Sequence, residues 1–195
     1  MHGLINKAIE RFVRDTCGDP DWDRIVATAG LEYSGFEAML RYDPAVTLQV
    51  LAAASEVLAR PPGDILEDIG TYLVSNPNVE ALRRLLRFGG ADFVEFLHSL
   101  DDLPDRARMA VSDLDLPDIE LREHAVGRFS LTCRSEQPGF GHVLVGVLRA
   151  MADDYGALVL LEHHGRHAGT ETVSIVLIEH TFAQGRNFCL GAGAS

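Results

Sequence analysis

The hydrophobic period of the chain changes at Pro117, and that change constrains the fold more than any other feature. Before it, apolar residues recur every three or four positions, the spacing of helices that bury one face. After it, Ile119 and Leu121, then Phe129, Leu131 and Cys133, alternate with polar neighbours, which is the period of a half-buried strand. Val143 to Tyr155 returns to the helical period. Leu158 to Glu162 and Val173 to Glu179 are apolar runs on either side of Gly165-Arg166-His167-Ala168-Gly169, which predicts a hairpin with its turn over those five residues. A helical half followed by strand, strand, helix, strand, strand predicts an α+β domain whose four-stranded antiparallel sheet is covered on one face.

The helical half is punctuated by proline and glycine. Met1 to Val13 carries Leu4, Ile5, Ala8, Ile9, Phe12 and Val13 on one face, with Lys7, Glu10 and Arg11 interrupting any continuous apolar run. Asp19-Pro20 and Asp43-Pro44 each place a capping carboxylate before a proline at the first helical position, where its missing N–H costs nothing. The helices that follow run through Trp22 to Ala29, ended by Gly30, and Val46 to Leu58, ended before Pro61-Pro62-Gly63. Ile65 to Val74 continues the pattern up to Asn76-Pro77-Asn78, then come a short helix from Val79 to Leu86, stopped at Gly89-Gly90, and another from Phe93 to Leu100. We expect one domain over 1–190, with a helical subdomain over 1–60, a helix-sheet subdomain over 61–190 and a small-residue tail over 191–195.

A formal charge of −12 excludes non-specific nucleic-acid binding and anionic membrane surfaces, both of which need clustered Lys and Arg. No run approaches the roughly 20 apolar residues of a membrane span. The three cysteines, Cys17, Cys133 and Cys189, have no paired spacing and suit a reducing cytoplasm. Gly-x-Ser-x-Gly and phosphate-loop patterns are absent, so no enzymatic activity is expected. The acidic stretch Asp113, Asp115 and Asp118 lacks the register of a calcium loop and reads as a solvated connector. Glu162-His163-His164-Gly165-Arg166-His167 is the one metal-like cluster, and a zinc-dependent hydrolase using His163, His164 and His167 is the alternative it raises. Neighbouring residues of a strand point to opposite faces, which sets His163 against His164, and His167 is expected in the turn.

Four stretches carry a family resemblance: Met1-His2-Gly3-Leu4-Ile5-Asn6-Lys7-Ala8-Ile9-Glu10, Trp22, Phe96-Leu97-His98-Ser99-Leu100-Asp101-Asp102-Leu103, and Arg134-Ser135-Glu136-Gln137-Pro138-Gly139. In this order and spacing the chain resembles the haem nitric oxide/oxygen-binding (H-NOX) family. The resemblance implies a helical subdomain and a helix-sheet subdomain that clamp a haem. It also implies an iron-ligating histidine directly after the Leu-Asp-x-Leu segment, a proline farther on that presses on the porphyrin, and a Tyr-x-Ser-x-Arg motif for the propionates. The later proline falls at Pro117. The ligand position is Pro104, which has no lone pair for a metal, and the propionate motif reads Cys133, Ser135, Gln137. Gln137 can donate a neutral hydrogen bond but lacks the charge and fork of Arg.

A proline inside a helix costs roughly 3 kcal/mol or more. Pro104 is therefore expected to end or kink the helix through Phe96, or to open a new short helix capped by Asp101 or Asp102. Substitute iron ligands are His98, Cys133 and Met109. His98 lies six residues earlier, about 9 Å along and about 120° around an ideal helix, so it misses the same site. Cys133 stands at a propionate-side strand position, and Met109 would need a shifted helix. Leu4, Ile5, Leu100 and Pro117 are expected to line what remains of the pocket. The function this implies is a non-enzymatic sensory domain that regulates a separate partner, such as a histidine kinase or a cyclic-dinucleotide enzyme. It would hold a hydrophobic ligand in the old pocket or act by protein contact. The alternative within the family is a gas sensor that keeps haem with displaced iron ligation.

Overall fold

In the computed structural model, which describes residues 2–112, 114 and 116–186, seven α-helices precede a β-hairpin, an eighth helix and a second hairpin. The helices are α1 (Gly3–Thr16), α2 (Asp19–Thr28), α3 (Pro44–Leu58), α4 (Pro62–Ser75), α5 (Glu80–Arg87), α6 (Phe93–His98), α7 (Leu103–Ala110) and α8 (Phe140–Tyr155). A 3-10 turn, Pro77–Val79, joins α4 to α5. The strands are β1 (Asp118–Ala125), β2 (Arg128–Arg134), β3 (Leu158–His167) and β4 (Thr170–Glu179), and they pair antiparallel in the order β1-β2-β4-β3. The expected α+β architecture with a four-stranded antiparallel sheet is the one found. The tail over 191–195, and the end of the expected domain at 190, lie outside the described residues, as do Asp113 and Asp115.

One face of the sheet is apolar because every second residue of β2 and β4 is. Phe129, Leu131 and Cys133 of β2, with Val173, Ile175 and Leu177 of β4, point inward against α8, whose Leu148 and Met151 are fully buried. Each such side chain gains about 1.5–3 kcal/mol from burial. A second core forms where α1, α2, α3 and α4 meet around Trp22, Ile25, Phe36, Val50 and Ile65. The buried Glu10 carboxylate accepts from the backbone N–H of Phe36 at 2.8 Å and pairs with Lys7 and Arg14, tying the α2–α3 connection over α1. The two cores meet inside α4: Ile65, Ile69 and Tyr72 belong to the helical core, Val74 to the sheet-side core. The α4 helix thus contributes to both cores, because it is apolar on two sides.

Two local expectations are corrected. β3 continues to His167, and the chain reverses in two residues, Ala168 (φ 49°) and Gly169 (φ 82°), both left-handed as a tight hairpin of this kind requires. Gly165 (φ 78°) sits at the register shift between His163 and Arg166 within the strand, so it makes a bulge and not the turn. Pro104 does lie in the first turn of a new helix, α7, where no N–H is needed of it, but neither aspartate caps that helix through its side chain. Asp102 makes no capping bond, and the Asp101 Oδ1 instead accepts from the backbone N–H of Leu121 at 2.7 Å, fastening the α6–α7 turn to β1.

Candidate functional site

Between the two cores lies a cavity of about 280 Å3, walled by α1, α3, α4, α5, α7 and α8 and by the segment around Pro117. Leu4 and Ile5 reach it from α1, Leu66, Ile69 and Leu73 from α4, and Leu103 and Ala107 from α7. Val143, Leu144 and Val147 come from α8. The helices can leave this space because their apolar stripes are wider than their mutual contacts fill. Its size approaches the lower end of the range of about 300–1,000 Å3 typical of small-molecule sites.

Among the described residues, only two of its lining side chains are polar, Thr47 and Gln137. The Thr47 hydroxyl donates to Asn6 Oδ1 at 2.7 Å and is satisfied there. Gln137 lies in the turn between β2 and α8, where its backbone N–H donates to Ser135 Oγ at 3.1 Å. Its side-chain Oε1 is buried with no hydrogen-bond partner.

Of the residues singled out for the haem site, Leu4, Ile5, Pro117 and Gln137 come together around this cavity, and Leu100, Pro104, Cys133, Ser135, His98 and Met109 do not. Leu100 is fully buried in the sheet-side core. Pro104 is buried in the first turn of α7 without lining the cavity, whereas its neighbour Leu103 faces the space. Ser135 accepts from Gln137 N–H in the turn. Cys133 points into the core of the sheet, where burial first, and then the charges of Glu171 and Asp118, push its thiol up to about 12. Such a thiol stays protonated at neutral pH, and Cys133 is not among the residues that line the cavity. His98 is exposed at the end of α6, edge-on to Phe129 at 5.9 Å and 3.8 Å from Glu123, and Met109 is 84% exposed. Both project away from the cavity.

A second cavity, about 420 Å3, adjoins the first and shares Leu48, Leu51, Leu66, Pro138 and Gly139 with it. Its far wall holds His142, His163, Arg166 and Glu171. The His142 and His163 rings lie against each other, tilted by 36°, with centroids 4.0 Å apart. His142 Nδ1 lies 3.2 Å from Glu67 Oε1, and the other oxygen of Glu67 accepts from Arg149 at 2.9 Å. Glu171, 4% exposed, accepts from the backbone N–H of Gly139 at 2.8 Å and of Gly141 at 2.6 Å, so its charge is matched to the amino end of α8. Burial, and then the neighbouring His142, hold His163 below the usual imidazole range. The sequence reading missed His142, whose importance depends on the long-range approach of α8 to β3.

The zinc site is not supported. His164 Nε2 instead meets Ser174 Oγ at 3.0 Å on the exposed side of the sheet, and His167 is exposed at the strand end. Among the described residues no group of three His, Cys, Asp or Glu side chains is disposed to hold a metal.

The chain matches the Haem-NO-binding family model over residues 2–163. The fold is similar to that of solved H-NOX proteins. One from K. algicida in the Fe(II) unliganded state has a TM-score of 0.77 at 21% identity, covering 94% of this chain and 100% of that one. One from S. oneidensis in the Fe(II)NO state has a TM-score of 0.75 at 18% identity, covering 91% and 99%. Among curated proteins, the soluble guanylate cyclase gcy-31 of Caenorhabditis elegans is 23% identical over 154 residues, which is 79% of this chain and 22% of that protein. The guanylate cyclase soluble subunit beta-2 of Rattus norvegicus is 28% identical over 91 residues, 47% of this chain and 13% of that protein. The chain therefore spans less than a quarter of the length of these relatives.

The family name implies haem. Among the described residues, no His, Cys, Met or Tyr lines the 280 Å3 cavity to ligate an iron, and no Lys or Arg lines it to meet a propionate. These residues do not fit a haem held by an axial side-chain bond. No described helix is long and apolar enough to cross a membrane. The scaffold, matched over most of its length, nevertheless leaves no ambiguity of kinship: this chain belongs to the Haem-NO-binding, or H-NOX, family.

Proposed function

We propose that the chain is a cytoplasmic, non-catalytic sensory domain whose apolar cavity takes a hydrophobic ligand without an iron–imidazole bond. One observation carries this reading: a cavity of about 280 Å3 between two cores, lined by hydrocarbon except at Thr47 and Gln137. Filling such a space removes apolar surface from water and gains dispersion contacts for lining atoms that otherwise face a void. Because α4 and α8 belong to the cavity wall and α8 also backs the sheet, occupancy would bear on the packing of one core against the other. The output is a change in contact with a signalling protein, a histidine kinase or a nucleotide cyclase. The guanylate cyclase relatives, which extend far beyond this domain, support the cyclase of the two.

Titration calorimetry with decanol tests the reading. Saturable one-site binding with a negative heat-capacity change is expected. It should weaken at least about tenfold in Ala107→Leu, which fills the cavity from α7. Absence of saturable binding by the folded wild-type protein would overturn it.

A further inference from the structure

One wall of the apolar cavity is fastened by charge more than by hydrocarbon. Helix α5 lines the space with Leu82, Leu85 and Leu86, and among its described side chains only Leu86 is buried. Its remaining hold on the fold runs through Arg83 and Arg87, both of which reach Asp154 of α8. We propose that α5 is the wall that responds to the ligand, and that the clasp of Arg83 and Arg87 on Asp154 passes occupancy of the cavity to the segment 183–186. This rests on the ligand-binding reading above and names the route by which occupancy leaves the cavity.

The clasp is built around one carboxylate. Asp154, 1% exposed, sits in the last turn of α8, where burial and the negative end of the helix dipole both oppose an anion. Arg83 offsets this with two hydrogen bonds to Asp154 Oδ1, from Nε at 3.0 Å and from Nη2 at 2.6 Å, and Arg87 Nε lies 3.5 Å from Oδ2. The Arg87 guanidinium also covers the Tyr155 ring at 3.9 Å. The Tyr155 hydroxyl in turn donates to the carbonyl of Gly90, just beyond α5, at 2.8 Å. Parting such charges leaves a buried carboxylate uncompensated, so the clasp resists small displacements of α5 and gives way steeply to larger ones. That is the behaviour of a two-position element.

The same corner holds the chain that follows β4. The backbone N–H of Arg186 donates to the Asp154 carbonyl at 3.0 Å, and that of Ala183 donates to the Gly156 carbonyl at 3.1 Å. Gly185 lies so close that a methyl group there would overlap the Asp154 oxygen. Ala183 and Arg186 are themselves exposed, so these backbone contacts govern how well the segment is ordered. The cavity, α5, Asp154 and the segment 183–186 are thus in unbroken contact. A ligand against Leu82 and Leu85 gives α5 the apolar packing it lacks, holds the clasp closed and steadies the segment bonded to it.

Hydrogen exchange read by mass spectrometry, on the full chain with and without saturating decanol, tests the route. In the wild-type protein decanol is expected to slow exchange at least about fivefold in α5 and in the peptide containing Ala183 and Arg186. Arg87→Met keeps an unbranched side chain against Tyr155, and Asp154→Asn keeps the shape of the carboxylate, but each removes a charge from the clasp. In both variants calorimetry should find decanol affinity within about threefold of wild type. Protection of α5 by decanol should persist, and slowing in the 183–186 peptide should be lost. A merely structural clasp would raise exchange of that peptide in the free variants yet leave the effect of decanol intact, and that result would overturn the proposal. So would wild-type protein that binds decanol with no change at 183–186, a measurement that does not depend on how the variants fold. If decanol does not bind the wild-type protein at all, the ligand-binding reading fails and this inference with it.

Discussion

Gly70 of α4 lies directly beneath the carbonyl of Val143 in α8, so closely that a methyl group there would overlap the oxygen. Gly146 of α8 meets the carbonyl of Glu67 in the same way, so the two helices cross backbone to backbone. Because both helices wall the cavity, this crossing sets its depth. Gly70→Ala must push them apart, and overpacking of this kind costs about 1–3 kcal/mol. Thermal unfolding should show a lowered midpoint, although alanine raises helix propensity. An unchanged or raised midpoint would mean that the crossing is looser than described.

Tyr72 ties the far end of α4 to α1. Its hydroxyl donates to Asp15 Oδ2 at 2.5 Å, and Asn78 donates to the same oxygen at 3.1 Å. Burial, followed by the Asp15 hydrogen bond, pushes Tyr72 up to about 12 from 10.0. The unfolded chain therefore ionises first, and stability is expected to fall as pH rises from about 10 towards 12. Tyr72→Phe should cost about 1 kcal/mol at neutral pH and lose less stability over that alkaline range, as read by urea unfolding at each pH.

Cys133 and Cys17 should separate cleanly by reactivity. Cys17 is exposed, whereas Cys133 is buried with its thiol raised from 9.0 to about 12. At pH 8 iodoacetamide is expected to label the Cys17 peptide in native protein and the Cys133 peptide only after unfolding, with mass spectrometry reading each site. The same shift makes stability fall as pH rises above about 9, where the unfolded thiol ionises and the native one does not. Rapid native labelling of Cys133 would contradict its burial.

The features that could be read from the sequence are those set by near neighbours. Asp43-Pro44 begins α3 as expected, with the aspartate accepting from Ala45 N–H at 2.8 Å, and the alternation of Phe129, Leu131 and Cys133 gave the inner face of β2. The α6–α7 break at Pro104 was equally local. What escaped depends on partners distant in the chain. Asp101 reads as a helix cap but binds Leu121 across the fold, Leu100 reads as a pocket residue but is turned into the sheet-side core, and His142 has meaning only beside His163. The cavity wall from α5 and α8 was likewise hidden, since Leu85 and Val147 follow the same helical spacing whether they face a core or a void.

The central claim is that the old haem pocket works without an iron–side-chain bond, and the absorption and resonance Raman spectra of the ferrous protein after haemin reconstitution and gel filtration test it most directly. The expected result is no stoichiometric Soret band surviving the column, and no iron–imidazole stretch in whatever haem remains. A stoichiometric complex whose iron is ligated by a side chain of this protein would contradict it.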